Sequence, residues 1–159
     1  MPAPRPAPAW VVVADVIAKV LLLLAVSRVA LDPGWGNLEG KAPVARAVTY
    51  PMLALLVPLL HAARVLRSRG PAAGADGGRD RPYPWGADLL VTVPAFSDVL
   101  GNRLDLYDRV SWFDDAIHLV NTGALSAAVL LLSGAAAAPL LRRLEVAVAA
   151  GLTLSLAWE

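Results

Sequence analysis

The sequence predicts an all-α protein: a polytopic transmembrane helix bundle of about five spans with a cytoplasmic N-terminus. Hydrophobic residues make up 57% of the 159 residues, and the mean hydropathy is +0.58. A soluble domain is normally about half apolar and has shorter apolar runs. Four segments approach the roughly 20 apolar residues that cross a bilayer: residues 10–31, 43–66, 112–134 and 139–158. The lipid bilayer is therefore the expected partner of the chain.

Charge and cysteine content exclude other classes of protein. The formal net charge is +1, and no run of Lys and Arg alternates with aromatic residues, so the sequence gives no indication of nucleic-acid binding. The chain contains no cysteine, which excludes disulfide bonds and thiolate metal ligands. Protein partners are not indicated by the composition.

The first two spans follow a short tail. Residues 1–9 are rich in Pro and Ala and predict a semi-rigid tail, while residues 10–159 form a single transmembrane helical domain. Residues 10–31 are expected to be a retained span, because no small-residue cleavage site follows a short apolar core as in a signal peptide. The second span, residues 43–66, contains prolines that a membrane bundle tolerates when neighbouring helices satisfy the freed carbonyl groups.

The third segment is the least certain to cross the membrane on composition alone. Residues 67–82 before it are dominated by Gly, Pro and charge, and predict a flexible aqueous loop. Residues 85–100 are short and carry Asp88 and Asp98, which fits either a thin span or a re-entrant element buried by its neighbours. We favour a span because of the distribution of basic residues in the loops.

Arginines predict the orientation of the bundle. They flank or occupy the 67–82 loop and the connection between the last two spans: Arg64, Arg67, Arg69, Arg79, Arg81, Arg142 and Arg143. The positive-inside rule assigns both loops to the cytoplasm. These loops share a side only if an even number of crossings separates them, so residues 85–100 should cross as well as residues 112–134. Loops 32–42 and 101–111 are then predicted to face outward.

A polar face is predicted where the fourth span begins, in the stretch WFDDAIHLVNTG at residues 112–123. Six polar residues lie within an arc of roughly 140° on a helix: Asp114, Asp115, His118, Asn121, Thr122 and Ser126. Either carboxylate can reach the imidazole. The two aspartates alone also fit a helix start, where acidic side chains interact favourably with the helix dipole. His118 and Asn121 lie deeper, where capping does not explain them, and polar groups at that depth indicate a functional site or a shared polar network.

Further polar residues should lie near the same face of the membrane. Asp98 and Asn102 close the third span and Glu159 closes the fifth, and the predicted topology directs all of these ends outward. Gly123 and Ala127, four residues apart on the same helix, are expected to offer a small-residue surface that lets a neighbouring helix approach closely. In the first span, Asp15 and Lys19 are spaced to form an i,i+4 ion pair, for which a structural role is favoured.

Three motifs resemble a known family. The stretches SDVLGNRLDLY, WFDDAIH and SLAWE are similar to those of the YjdF-like bacterial inner-membrane proteins, a family of unknown function, over about residues 85–159. The matched positions are Asp98, Gly101, Tyr107, Trp112, Asp114, His118, Trp158 and Glu159. The resemblance implies a location in the bacterial inner membrane and a choice of residues, but no reaction. Members continue past the Trp-Glu pair, so the resemblance also implies a bundle that is truncated at Glu159.

Three hypotheses of function remain open, and whether the protein is an enzyme is undecided. The first is an outward-facing site for a polar substrate or a divalent metal, with Asp114, His118 and Glu159 as metal ligands; carboxylates with one imidazole suit Mg, Mn, Fe or Zn. The second is a structural or partner-binding membrane protein whose polar cluster only holds helices together. The third is a transporter or proton relay lined by the same residues.

Overall fold

The computed structural model describes residues 6–32, 34–35, 38, 40–68 and 82–158. Helices account for 84% of these residues and none of them lies in a strand, which confirms the all-α helix bundle. The helices are α1 (Ala9–Leu31), α2 (Pro43–Ser68), α3 (Trp85–Arg103), α4 (Leu106–Arg109), α5 (Phe113–Ser133) and α6 (Leu140–Trp158), and a 3-10 turn at Ala135–Ala137 precedes α6.

The five predicted segments each correspond to one long helix. The largest differences in bounds concern α3, which continues to Arg103, and α2, which continues to Ser68 and so into the first residues of the predicted 67–82 loop. Residues 69–81 of that loop and residues 1–5 of the predicted tail lie outside the described residues. The short helix α4 was not predicted.

Three of the described helices are long and apolar enough to cross a membrane, as judged by length and composition: α1, α2 and α5. Large apolar side chains such as Leu24, Leu59 and Leu119 are more than 60% exposed on these helices, as expected for a surface that contacts lipid. The two remaining long helices are less apolar, because α3 carries two aspartates and α6 has charged residues in its first turns.

Helix α3 lies at the centre of the bundle, where it packs against α1, α2 and α5, while α6 packs on α5. Lys19 at the middle of α1 contacts Asp88 near the start of α3, and Leu22 and Val26 further along α1 cluster with Ala95 and Val99 further along α3, so these two helices run parallel. Arg46 at the start of α2 contacts Asp98 towards the end of α3, so α2 runs antiparallel to it. The main apolar cluster joins the same three helices and consists of Leu22, Val26, Tyr50, Ala54, Ala95 and Val99.

The bundle therefore has two ends. The Trp85 end contains the starts of α1, α3 and α6 and the ends of α2 and α5; the Arg103 end contains the opposite termini of these helices. Asp98, Asn102, Asp114, Asp115 and His118 belong to the part of the bundle towards the Arg103 end, which the sequence predicts to face outward.

The glycine that permits close approach of α5 and α6 is Gly151 and not Gly123. A Cβ atom at Gly151 would lie 3.3 Å from Ser126 Oγ and 3.7 Å from Thr122 Cγ2 on α5. No described atom would lie within 4 Å of a Cβ atom at Gly123, which faces away from the other helices. The prediction for Gly123 was wrong because spacing alone does not show which side of α5 its neighbours cover.

Candidate functional site

Asp98 is the centre of a buried polar group that we call the arginine network: Arg46, Tyr50, Asp98, Asn102 and Tyr107. Arg46 Nε donates to Asp98 Oδ2 at 2.8 Å, and the Tyr50 hydroxyl donates to the same oxygen. Asp98 Oδ1 accepts from the Tyr107 hydroxyl at 3.1 Å and from Asn102 Nδ2 at 3.3 Å. Asp98 is 4% exposed, so these donors replace the water that its carboxylate loses.

Helical spacing assembles this network from three helices. Arg46 and Tyr50 are four residues apart on α2, and Arg46 Nε lies 3.1 Å from the Tyr50 hydroxyl. Asp98 and Asn102 are four apart on α3, where Asn102 Nδ2 also donates to the Asp98 carbonyl at 2.9 Å. Such pairs share a helix face. Tyr107 on α4 completes the group from the connection between α3 and α5.

Gly101 allows the aromatic rings to cover the end of α3. A Cβ atom at Gly101 would lie 2.7 Å from Phe113 Cε1 and 2.9 Å from Tyr107 Cε2, closer than carbon atoms can pack. The rings of Tyr107 and Phe113 meet edge to face with centroids 5.0 Å apart. A turn at Asp105, whose φ is 60°, returns the chain into α4. Burial raises the pKa of Tyr107, and the adjacent Asp98 charge raises it further.

A second buried group, which we call the lysine network, lies towards the Trp85 end and consists of Asp15, Lys19, Tyr83, Asp88 and Thr92. Lys19 Nζ lies 2.6 Å from Asp15 Oδ1, 2.8 Å from Asp88 Oδ1 and 3.0 Å from Thr92 Oγ1. The Tyr83 hydroxyl donates to Asp88 Oδ2. Burial raises the pKa of Tyr83, as does its hydrogen bond to Asp88. The network joins α1 to α3 in the same way as the arginine network joins α2 to α3.

The two networks differ in charge balance. The arginine network contains one carboxylate and one guanidinium, which compensate each other. The lysine network contains two carboxylates, Asp15 and Asp88, around a single ammonium. Within the described residues, no other Lys or Arg forms an ion pair with either carboxylate, and Asp88 Oδ1 receives no well-directed hydrogen bond although Lys19 Nζ is close.

The predicted polar face of α5 is divided between two environments. His118 Nε2 lies 3.4 Å from Asp114 Oδ1, and their side chains are 41% and 63% exposed. Asp115 is exposed as well. Asn121 is instead buried against α3, where its Oδ1 accepts a hydrogen bond of 3.0 Å from Ser97 Oγ. The structure therefore brings Asp98 and Asn102 together and pairs Asp114 with His118. The two groups adjoin at Tyr107, since the Asp114 charge adds to the burial and the Asp98 charge that raise the pKa of Tyr107.

The predicted metal ligands are described only in part. Asp114 and His118 pair as expected, whereas Glu159 lies outside the described residues. Among the residues that the structure does describe, no group of three or more His, Cys, Asp or Glu side chains is placed to hold a metal ion. The three-ligand site stays a prediction.

Sequence reasoning found some of the buried charges and missed their main partners. The predicted Asp15–Lys19 pair is confirmed at 2.6 Å. The contact of Lys19 with Asp88 and that of Arg46 with Asp98 were missed, since each joins residues far apart in sequence. The available signal was the presence of basic and acidic residues in segments that are otherwise apolar, because such residues usually pair with one another in a bundle interior.

No protein-family model matches the sequence, and neither the curated proteins nor the solved structures contain a match. The resemblance to the YjdF-like family therefore stays a prediction.

Proposed function

We propose that the chain is a protein of the bacterial inner membrane with about five spans and a cytoplasmic N-terminus, and that it moves protons along α3. The observation that carries this proposal is the pair of buried carboxylates on the central helix. Asp88 and Asp98 are 1% and 4% exposed, lie towards opposite ends of α3 and each contact a cation from another helix. Buried ionisable groups in membrane bundles are rare and mark ion pathways and proton relays.

The directions of the helices support the proposal that α3 crosses the membrane. It runs parallel to α1 and antiparallel to α2 and α5, so it leads from the Trp85 end to the Arg103 end beside helices that are long and apolar enough to span. Its 19 residues extend about 28 Å at a rise of roughly 1.5 Å per residue, close to the roughly 30 Å of bilayer hydrocarbon. Its aspartates are compatible with a span because they are paired inside the bundle.

An apolar layer separates the two networks and indicates a gated relay. Leu22, Val26 and Ala95 are buried in this layer. Thr92 and Asp98, the nearest members of the two networks along α3, are about 9 Å apart at the helical rise of roughly 1.5 Å per residue. A proton cannot cross this distance by a direct hydrogen bond, so transfer requires water to enter the layer or a helix to move, as in gates that work by dewetting.

Topology is testable by labelling single cysteines, because the chain contains none of its own. An impermeant maleimide added to intact spheroplasts should label Leu104→Cys and Ser111→Cys, at exposed positions of the Arg103 end. Ser68→Cys and Ala136→Cys, exposed at the Trp85 end, should react only after lysis. Labelling of Ser68→Cys and Leu104→Cys from the same side would exclude a crossing by α3.

Proton movement is testable in proteoliposomes that contain a pH-sensitive dye and carry a potassium diffusion potential. The wild-type protein should acidify or alkalinise the lumen according to the sign of the potential, and Asp88→Asn should abolish the flux. This variant keeps Lys19 paired with Asp15, so the network stays charge-balanced. Asp32→Asn, which makes the same chemical change at an exposed position outside every predicted site, should retain the wild-type flux. Absence of flux from the folded wild-type protein would contradict the proposal.

A structural or partner-binding role is supported by one specific observation, the saturation of Asp98 by donors from Arg46, Tyr50, Asn102 and Tyr107. A carboxylate with this many partners holds helices in register without any further ligand. Under this role Asp88→Asn would change thermal stability, and wild-type proteoliposomes would show no more flux than empty ones.

A polar-substrate or divalent-metal site towards the Arg103 end is supported by the Asp114–His118 pair at 3.4 Å. Mass spectrometry of the detergent-purified protein tests it. Near-stoichiometric metal in the wild-type protein that is lost in His118→Ala would favour this function over the relay. A wild-type protein that contains no metal and takes none up on reloading would exclude a metal at this position.

A further inference from the structure

The lysine network contains one more carboxylate than it has cations to balance. Asp15 and Asp88 are each 1% exposed, and the Lys19 side chain that contacts both is 17% exposed. Both contacts are ion pairs of less than 3 Å to the same Nζ atom. If all three groups are ionised, a net negative charge is buried, and a buried charge without a partner is strongly destabilising.

We propose that the lysine network is a proton-binding site, in which Asp15 and Asp88 together hold one exchangeable proton. Two carboxylates that share a confined site titrate as a pair, and one of them keeps its proton at a pH where an isolated carboxylate is ionised. In this step a proton from water forms an O–H bond with a carboxylate oxygen, and no bond to carbon is broken. The network then contains one carboxylate, one carboxylic acid and one ammonium, and is neutral.

The positions of the oxygens around Lys19 favour a proton over a metal ion as the ligand. The ammonium lies within 3.0 Å of three oxygens, from Asp15, Asp88 and Thr92, and so occupies the place that a cation would take. Asp88 Oδ1 is buried and receives no well-directed hydrogen bond from the described residues. A proton needs no additional volume and supplies the hydrogen bond that this oxygen lacks.

Titratable groups around the site belong to several elements. Asp15 and Lys19 come from α1, Asp88 from α3 and Tyr83 from the segment before α3. The Tyr83 hydroxyl donates to Asp88 Oδ2, and its ring meets that of His61 from α2 with centroids 5.1 Å apart.

The remaining described neighbours of this end include Arg64 on α2, and Arg142 and Glu145 in the first turns of α6, which pair with each other at 3.1 Å. Arg64 on α2 donates to the Leu132 carbonyl of α5 at 3.4 Å, and α5 presents Leu131 to Gly86 of α3. Tyr83 and His61 therefore connect the buried carboxylates to the Trp85 end, where protons would enter from water.

This inference deepens the proposed relay and rests on it for its physiological role, but it is tested without any flux measurement. Infrared spectra of the full-length protein in detergent, recorded over a pH series in light and heavy water, detect the C=O stretch of a protonated carboxyl. We expect this band at neutral pH in the wild-type protein and in the control variant Asp32→Asn, whose aspartate is exposed. We expect it to be absent from Asp15→Asn and from Asp88→Asn, since each variant leaves a one-to-one pair with Lys19.

The outcomes separate the proton site from the relay. A wild-type spectrum without a protonated carboxyl at neutral pH would overturn the inference, and this measurement needs no variant to fold. A band that survives both Asp15→Asn and Asp88→Asn would overturn it as well, as would loss of the band when sodium is added at constant pH. A band that behaves as expected, in a protein that shows no flux, would uphold the proton site and contradict the relay.

Discussion

Removal of the Arg46 guanidinium is the most direct test of what the arginine network contributes to the fold. In Arg46→Met the apolar part of the side chain is largely kept, and Asp98 loses its single ion-pair partner among the described residues, at 2.8 Å. The carboxylate keeps the neutral donors Tyr50, Asn102 and Tyr107. The variant therefore separates the contribution of the charge from that of the surrounding hydrogen bonds.

The expected loss follows from the burial of the pair. Breaking a buried ion pair by removing one partner costs about 3–5 kcal/mol, and the three remaining donors favour the lower end of this range. A loss of about 3 kcal/mol corresponds to a fall in Tm of roughly 6–12 °C for a chain of this size. A matched control is Arg109→Met, since Arg109 Nε also contacts an aspartate, Asp105, at 2.7 Å, but its side chain is 73% exposed. Exposed pairs contribute about 0.2–1 kcal/mol.

Thermal unfolding in detergent, followed by circular dichroism, measures both variants under the same conditions. The double variant Arg46→Met, Asp98→Asn should regain much of the stability that Arg46→Met loses, because the unpaired charge is then absent. If Arg46→Met destabilises the protein no more than Arg109→Met does, the carboxylate of Asp98 does not depend on this ion pair, and the energetic argument for the arginine network fails.

Three further predictions concern the Arg103 end. Gly101→Ala should lower the free energy of unfolding by about 1 kcal/mol. Overpacking against Phe113 and Tyr107 costs about 1–3 kcal/mol, which exceeds the gain in helix propensity of about 1 kcal/mol. The control Gly123→Ala, at a position where the described residues leave space, should not lower the free energy of unfolding. Tyr107→Phe should cost about 1 kcal/mol at neutral pH. The pKa of Tyr107 is raised in the fold, so the stabilisation by its hydroxyl is present below the ordinary tyrosine pKa of about 10 and is lost as the pH rises above that value. The Tm difference between Tyr107→Phe and the wild-type protein should therefore narrow in alkaline buffer. A difference that stays constant with pH would contradict this prediction. His118→Ala should change the free energy of unfolding by less than about 1 kcal/mol, since its pair with Asp114 is exposed; a larger loss would indicate a partner that the described residues do not include.

The sequence was sufficient to predict the five long helices and the ion pair within one of them, but not the short helix α4. Long apolar segments predict their own secondary structure, and the i,i+4 spacing of Asp15 and Lys19 predicts their contact, which the structure confirms at 2.6 Å. The direction in which each helix faces was harder to predict. Lipid tails are as apolar as a helix interface, so the lipid-facing and buried sides of a membrane helix show little contrast in hydropathy. Gly123 and Asn121 lie two residues apart on α5, yet one is exposed and the other contacts α3.

Contacts between distant segments could not be predicted for a related reason. Lys19 reaches Asp88, and Arg46 reaches Asp98, only in one alignment of α1 and α2 along α3. A shift of one helical turn, about 5.4 Å, would break both ion pairs while leaving every helix intact. The sequence contains the charges, but their pairing is a property of the assembled bundle.

The central position of α3 has a consequence for how the protein is made. In the proposed topology α3 crosses the bilayer. An aspartate opposes the insertion of a membrane helix, by roughly 2.5–3.5 kcal/mol when it lies at the centre, and α3 carries two, Asp88 and Asp98, towards its opposite ends. Their cationic partners, Lys19 and Arg46, belong to α1 and α2, which leave the ribosome earlier. We therefore expect α3 to enter the bilayer efficiently only when α1 and α2 are already inserted. The order of synthesis then places the two cations, Lys19 and Arg46, in the membrane before the two aspartates of α3.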